Sequence, residues 1–283
     1  MKLLITGVSG QLGSAIYKIS KYENYGTYLS NLPKANNKDI KKVDITSYND
    51  IFSFVKKINP DVIIHCAALR NVDLCEENKE LAWKSNVIGT KNIVDICNEL
   101  RIKMIFISTD YVFDGYKGFY KEEDVPNPIN FYAKTKVIGE WLVQNLEDFI
   151  IVRTSMLISN LPGNYVDFTL SGLKSGGISG TTDIKSSPTL VSELAEASIS
   201  AIEKDLSGIY HMAGDEMISR YEFMRTVATI FGYDSNLIKP TTSDELKFKA
   251  KRPKDTSLDI SKIKNLKIKF STLEGSLKKL KIQ

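Results

Sequence analysis

The sequence predicts an α/β fold, a doubly wound parallel sheet accompanied by a smaller, mostly C-terminal lobe. Two observations carry this. Short apolar runs alternate with longer stretches of helical period through the first half of the chain. The chain also opens on an apolar strand pattern, KLLIT, that runs into glycines spaced G-x-x-G-x-x-G and then into a helix.

The elements follow in order. Residues 2–6 read as a buried strand, and 11–21 as a helix with Leu12, Ile16 and Ile19 near one face. A second strand is expected over 25–29. Residues 51–58 form a helix stopped by Asn59-Pro60, and 61–65 a strand. A long helix spans 81–100, a strand 103–107, a helix 132–145 with Val137, Trp141 and Leu142 on its apolar side, and a strand 149–153. Strand, helix, strand in repetition means parallel strands joined by crossover helices. After Arg153 the pattern loosens. The Gly- and Ser-rich run 171–180 reads as a mobile loop, 191–204 as a helix, 208–213 as a strand able to rejoin the sheet, and 221–231 as a helix ended by Gly232. The expected organisation is a dinucleotide-binding domain over 1–152, rejoined by about 186–214, with 153–185 and 215–283 forming a substrate-binding lobe.

Composition narrows the function classes. Charged residues make up 25% and hydrophobic residues 42%, as in ordinary globular proteins. A net charge of +4 over 283 residues is too small to indicate nucleic acid. The basic excess concentrates at the end, with twelve Lys or Arg against three acids over 247–283, and reads as a solvated surface. Cys66, Cys75 and Cys97 are odd in number and contain no CxxC pair, so neither a disulfide scaffold nor a zinc site is expected. His65 and His211 are too scattered for a metal site. No signal peptide and no membrane span are read from the apolar runs. The expected location is the cytoplasm.

The opening turn carries the first chemistry. After a strand and before a helix, Gly7, Gly10 and Gly13 permit a tight turn, close approach of the backbone to a pyrophosphate, and close packing of helix on strand. The pyrophosphate then rests on N–H groups at the helix N-terminus. This is a Rossmann dinucleotide site. An NAD-selective site places an acid about 20 residues on. Here no acid lies between Glu23 and Asp39, and Ser30, Asn31 and Lys34 are available instead. NADP(H) is therefore the preferred cofactor, with NAD(H) left open.

A second constellation is Tyr132 and Lys136, four apart and so one turn apart on a helix face. A tyrosine with a pKa near 10 is a poor proton donor at neutral pH, and an adjacent ammonium lowers that value. The same lysine can hold the nicotinamide ribose. The strand over 103–107 runs on into Ser108 and Thr109, at the end of a parallel sheet where ligands sit. The Thr109 hydroxyl can meet a carbonyl oxygen.

These pieces together resemble the extended short-chain dehydrogenase/reductase superfamily, and within it the dTDP-4-dehydrorhamnose reductases. Matching stretches are TGVSGQLG at 6–13, PDVIIHCAA at 60–68, NVDLCE at 71–76, STDYVFDG at 108–115, INFYAKTKVIGE at 129–140, VRTS at 152–155, SPT at 187–189, GIYHMAG at 208–214 and RP at 252–253. The glycine turn and YxxxK mark the superfamily; STDYVFDG followed by FYAKTKVIGE and VRTS is more specific.

The resemblance implies that Gly7, Gly10, Gln11, Leu12 and Gly13 hold the pyrophosphate, that Asp44 and Ile45 lie near the adenine, and that Cys66, Ala67 and Ala68 line the cofactor cleft. It implies a catalytic triad of Thr109, Tyr132 and Lys136, with Arg153, Thr154 and Ser155 beside the nicotinamide and Tyr111 facing the sugar. Asp183, Lys185 and Arg252 are candidate substrate-side residues. Two positions depart from the family pattern. Met156 stands where a substrate-packing tryptophan is usual, and Arg70 replaces a small polar residue near the sugar. Both bear on the sugar and leave the hydride chemistry untouched. The implied reaction is NAD(P)H-dependent reduction of the 4-keto group of a nucleotide-linked deoxysugar, as in dTDP-L-rhamnose synthesis. Another sugar-nucleotide epimerase or reductase stays open, as does a cofactor-binding regulatory subunit of methionine adenosyltransferase. Family members often dimerise, so a homodimer is also open.

Overall fold

The computed structural model describes residues 1–33 and 38–282. Lys34, one of the residues read as facing the cofactor's 2′-position, lies outside the described residues. In chain order the elements are β1 (Lys2–Thr6), α1 (Gln11–Ile19), β2 (Glu23–Tyr28), β3 (Ile40–Lys42), α2 (Tyr48–Ile58), β4 (Val62–His65), α3 (Val72–Glu77), α4 (Lys79–Trp83), a π-helical turn (Lys84–Ile88), α5 (Gly89–Leu100), β5 (Lys103–Thr109), α6 (Phe131–Val143) and β6 (Phe149–Thr154). There follow β7 (Leu157–Ile158), α7 (Tyr165–Lys174), β8 (Ile178–Thr181), β9 (Lys185–Ser186), β10 (Thr189–Leu190), α8 (Val191–Glu203), β11 (Gly208–His211), β12 (Ile218–Ser219), α9 (Arg220–Phe231), β13 (Ile238–Thr241), α10 (Ser261–Asn265) and α11 (Leu273–Ile282).

Seven strands form one sheet in the order β11-β6-β5-β4-β1-β2-β3. β1 pairs in parallel with both β2 and β4, and β4 in parallel with β5. The strand order therefore reverses at β1. In such sheets ligands bind outside the carboxyl ends of the strands at that reversal, and the glycine turn leaves β1 there.

The chain divides into two compact units. The first comprises Met1–Thr109, Asn130–Val152 and Ala195–Tyr210; the second comprises Asp110–Ile129, Arg153–Leu194 and His211–Gln283. The core of the first unit gathers Leu4, Ile63, Met104, Phe106 and Ile151 from strands and Ile51, Val55 and Ile93 from helices. The core of the second gathers Phe223, Met224 and Val227 of α9 with Ile158, Leu190, Ile238 and Leu277. Each such side chain contributes about 1.5–3 kcal/mol by leaving water. α9 starts on a reciprocal cap between Ser219 and Glu222 and ends on Gly232 at φ +81°.

Four sequence expectations need correction. The run 171–180 is the end of α7 and the start of β8, with only 175–177 as a turn between them. Asn164 caps α7 by accepting from the Val166 and Asp167 N–H groups, and β8 pairs in parallel with the distant β13, which no local pattern announces. The long helix 81–100 runs without a break but is not α-helical throughout, since Lys84–Ile88 form a π turn within it. Ile19 is 41% exposed, because α1 buries only Leu12, Gly13 and Ile16. Trp141 is 63% exposed, because α6 turns Ala133, Lys136, Val137 and Glu140 inward instead.

Candidate active site

The glycine turn is shaped by backbone contacts. Gly7 has φ +69°, and a Cβ there would lie 2.8 Å from the Cα and N of Ala67. A Cβ on Gly13 would lie 2.5 Å from the Gly7 carbonyl oxygen, so α1 can approach the turn only without one. Gly10 N donates to Gly7 O at 2.9 Å and closes the turn. Gly10 is also the N-cap of α1, no side chain caps the helix, and no acid lies in its first turn. The N-terminal N–H groups and the positive end of the helix dipole therefore suit an anion. Gln11 is half-buried, and Leu12 and Gly13 are buried. This cradle, which a Cβ would fill, fits the pyrophosphate of a dinucleotide.

The other residues expected on the cofactor side are spread around the first unit. Ser30 and Asn31 are exposed just past β2. Asp44 Oδ1 accepts from the Thr46 N–H and hydroxyl at 2.9 and 2.8 Å. Ile45 is buried in the first unit's core, and its carbonyl accepts from Asn92. Cys66 and Ala67 are half-buried and Ala68 exposed, on the segment leaving β4. Arg70, further along, is exposed.

A buried polar network fixes that segment. Ala67 N donates to Thr6 Oγ1 at 3.3 Å, and Thr6 Oγ1 meets His65 Nδ1 at 2.7 Å. His65 Nε2 meets Thr90 Oγ1 at 3.1 Å, and Thr90 Oγ1 donates to the Asn86 carbonyl at 2.6 Å. The chain of donors is consistent with the Nε2–H tautomer. Asn86, on the π turn, accepts from Leu69 N at 2.7 Å and donates to Leu69 O and Thr135 Oγ1, each at 3.0 Å. Thr135 Oγ1 donates in turn to the Tyr132 carbonyl at 2.6 Å. Asn86 thus links the β4 segment to the helix carrying Tyr132. Sequence reading missed it, because Asn86 is one of many polar residues in this stretch and the π turn that aims it leaves no pattern.

Thr109, Tyr132 and Lys136 lie on neighbouring elements. Thr109 is the buried last residue of β5, and α6 packs on β5. The close packing needs Gly139, since a Cβ there would lie 2.6 Å from Phe106 Cζ. Asn130 caps α6 by accepting from Ala133 N at 2.9 Å, so the helix starts just ahead of Tyr132. Lys136 Nζ sits 3.9 Å from the centre of the Phe106 ring. Burial brings the Lys136 pKa down to about 7, opposed chiefly by the Glu140 carboxylate. Burial likewise moves His65 down to about 3 and Cys66 up to about 12, so both are neutral beside it.

The second unit holds the remaining candidates. Tyr111 lies in a 3₁₀ turn over Asp110–Val112, and its hydroxyl accepts from Arg220 Nη2 at 3.0 Å. Arg220 also faces the rings of Tyr165 and Phe248, a role that sequence reading did not find. Arg153 is buried, with its guanidinium over the Phe113 ring and donating to Glu122 O at 3.3 Å. Ser155 Oγ donates to Asp110 Oδ2 at 2.7 Å, whereas the buried Thr154 hydroxyl has no partner among the described residues. Met156 is half-buried at φ +23°. The Asp183 carboxylate accepts from Ser243 and Lys254. Lys185 is half-buried on β9, and Arg252 lies over Phe248 and donates to Ala250 O. Among the described residues no cluster of His, Cys, Asp or Glu could hold a metal ion, and no helix is long and apolar enough to cross a membrane.

The chain is similar to known proteins over nearly its whole length. The family model described as the RmlD substrate binding domain matches residues 1–281. A dTDP-4-dehydrorhamnose reductase of Aggregatibacter actinomycetemcomitans is 33% identical over 280 residues, covering 93% of this chain and 92% of that protein. The methionine adenosyltransferase 2 subunit beta of Bos taurus is 30% identical over 280 residues, covering 94% and 83%. The crystal structure of dTDP-4-dehydrorhamnose reductase from Bacillus anthracis in complex with NADP matches with a TM-score of 0.90 at 30% identity, covering 99% of this chain and 98% of that one.

Proposed function

This chain belongs to the family of the RmlD substrate binding domain, and on that premise we propose that it is an NAD(P)H-dependent reductase. Its reaction is reduction of the 4-keto group of a nucleotide-linked deoxysugar of the dTDP-4-dehydrorhamnose type. The observation that carries the reading is the association, in one unit, of an uncapped glycine cradle with Thr109, Tyr132 and a buried Lys136. NADP(H) is the preferred cofactor, supported by the absence of an acid at Ser30 and Asn31 and by the NADP complex of the Bacillus anthracis relative; NAD(H) is accepted as well.

When bound, the reduced nicotinamide supplies the hydride that the carbonyl carbon takes up. Tyr132 gives its phenolic proton to the carbonyl oxygen. The Lys136 ammonium makes that proton easier to lose and orients the ribose. Thr109 donates a hydrogen bond to the same oxygen as charge develops on it. The sugar-side residues of this reading are Arg70 in the first unit and Tyr111, Met156, Asp183, Lys185 and Arg252 in the second. The protein works in the cytoplasm without nucleic acid. A homodimer is part of this reading.

The test is NADPH consumption with a dTDP-4-keto-6-deoxysugar, followed at 340 nm as a routine absorbance assay. Stoichiometric oxidation is the expected result. A second reading, a regulatory subunit of methionine adenosyltransferase, draws on the likeness to the bovine beta subunit. Tight NADPH binding without any oxidation, together with capture of that enzyme, would favour it over the reductase.

A further inference from the structure

We propose that Glu140 is a positioning residue of the reduction: its carboxylate holds the charge of Lys136 and ties the Thr109 end of β5 to the helix that carries Tyr132. The inference rests on the reductase reading above. Glu140 is 1% exposed, and Ser108 Oγ donates to its Oε1 at 2.5 Å. Ser108 directly precedes Thr109. Glu140 follows Lys136 by four residues, as Lys136 follows Tyr132, so the three stand on successive turns of one face of α6.

The groups facing Lys136 leave Glu140 a distinct task. On α6 they are Tyr132 and Glu140. From β4 and the segment after it come His65 and Cys66, both neutral for the reasons given above. From β5 comes the uncharged ring of Phe106. The elements α3, α4, the π turn and α5 also pack on α6, but the groups acting on the Lys136 charge are Glu140 and Cys66, and with Cys66 neutral Glu140 supplies the negative charge. A buried carboxylate is costly unless paired, and a buried lysine without a counter-charge sheds its proton. Each group answers the other's need. Keeping Lys136 protonated keeps an ammonium next to Tyr132, which the proton transfer requires. The Ser108 bond does the second part, holding the strand end and the helix in register.

Two substitutions separate the charge from the hydrogen bond. Glu140→Gln leaves an oxygen for the Ser108 hydroxyl and removes the charge. Ser108→Ala removes the bond and leaves the charge. Turnover that needs a protonated lysine falls as pH rises through its pKa, and loss of the carboxylate lowers that pKa. The alkaline limb of kcat therefore moves to lower pH in E140Q, by about one unit or more for buried charges one helical turn apart. S108A lowers kcat and leaves the limb in place. A limb unmoved in E140Q overturns the proposal.

Thermal melting of wild type, K136M, E140Q and K136M/E140Q gives a readout that needs no activity. K136M strands a buried carboxylate, so the double variant is expected to melt above K136M. A double variant that melts at or below K136M overturns the pairing, and this comparison holds even if E140Q alone does not fold. A wild-type protein that oxidises no NADPH refutes the reductase reading instead, and the melting series still decides the pairing.

Discussion

Replacing Gly7 by alanine adds one methyl group at a point where two costs coincide. The residue has φ +69°, and an L-residue in that left-handed region costs about 1–2 kcal/mol. The new Cβ would also stand 2.8 Å from the Ala67 backbone, which cannot swing aside as a side chain can. Overpacking of that kind costs about 1–3 kcal/mol. Gly232 provides the control. Its φ is +81°, but a Cβ there meets nothing within 4 Å among the described residues, so Gly232→Ala incurs the conformational cost alone. Each kcal/mol corresponds to roughly 2–4 °C in Tm for chains somewhat smaller than this one. G7A should therefore melt roughly 4–20 °C below wild type, and G232A roughly 2–8 °C below, on that conversion. Differential scanning fluorimetry without cofactor measures both. Isothermal titration with NADPH should show G7A weakened at least about tenfold, an amount equal to about 1.4 kcal/mol, and G232A unchanged. If the two variants melt together and bind NADPH alike, the close approach of the turn to Ala67 is not what demands glycine at position 7.

Further outcomes follow from the same geometry. Tyr132→Phe should lower kcat by about 10²- to 10⁴-fold, the usual worth of positioned acid catalysis, with NADPH affinity retained in titration. Asn86→Ala should cost about 1–3 kcal/mol for each buried group it leaves unsatisfied. Urea denaturation reads that loss, and kcat should fall with it because the Tyr132 helix loses its tie to Leu69; a variant as stable as wild type refutes the network. His65 and His211 are held neutral in the fold, both with pKa values near 3 against an ordinary 6.5. The unfolded chain binds those protons first, so stability is present above pH 6.5 and is lost as pH falls from there toward 3. Urea midpoints at pH 7.5, 5.5 and 4.5 should fall in that order; a flat profile shows the two rings are not buried neutral.

The parts of the molecule legible in its sequence are those whose cause is local. KLLIT, the glycine turn and the start of α1 lie within thirteen consecutive residues, and their strand, turn and cap stand as the pattern indicates. Tyr132 and Lys136 share a helix face because four residues make a turn. Gly208–His211 rejoined the sheet as its apolar run suggested. What escaped depends on distant partners. β8 exists because β13, some sixty residues later, pairs with it, so its Gly and Ser content pointed the wrong way. Trp141 looked like core because only the packing of α6 on β5 decides which side is inside. Asn86 and Glu140 are ordinary polar letters in helices until Leu69 and Ser108 are brought against them.

The division into two units has a practical consequence. The chain passes from one to the other five times, after Thr109, Ile129, Val152, Leu194 and Tyr210. Neither unit is a contiguous stretch, so no single truncation releases either one, and no single-segment graft transplants the second unit onto a homologous scaffold. Recombination that cuts anywhere between residues 109 and 210 splits one unit or the other.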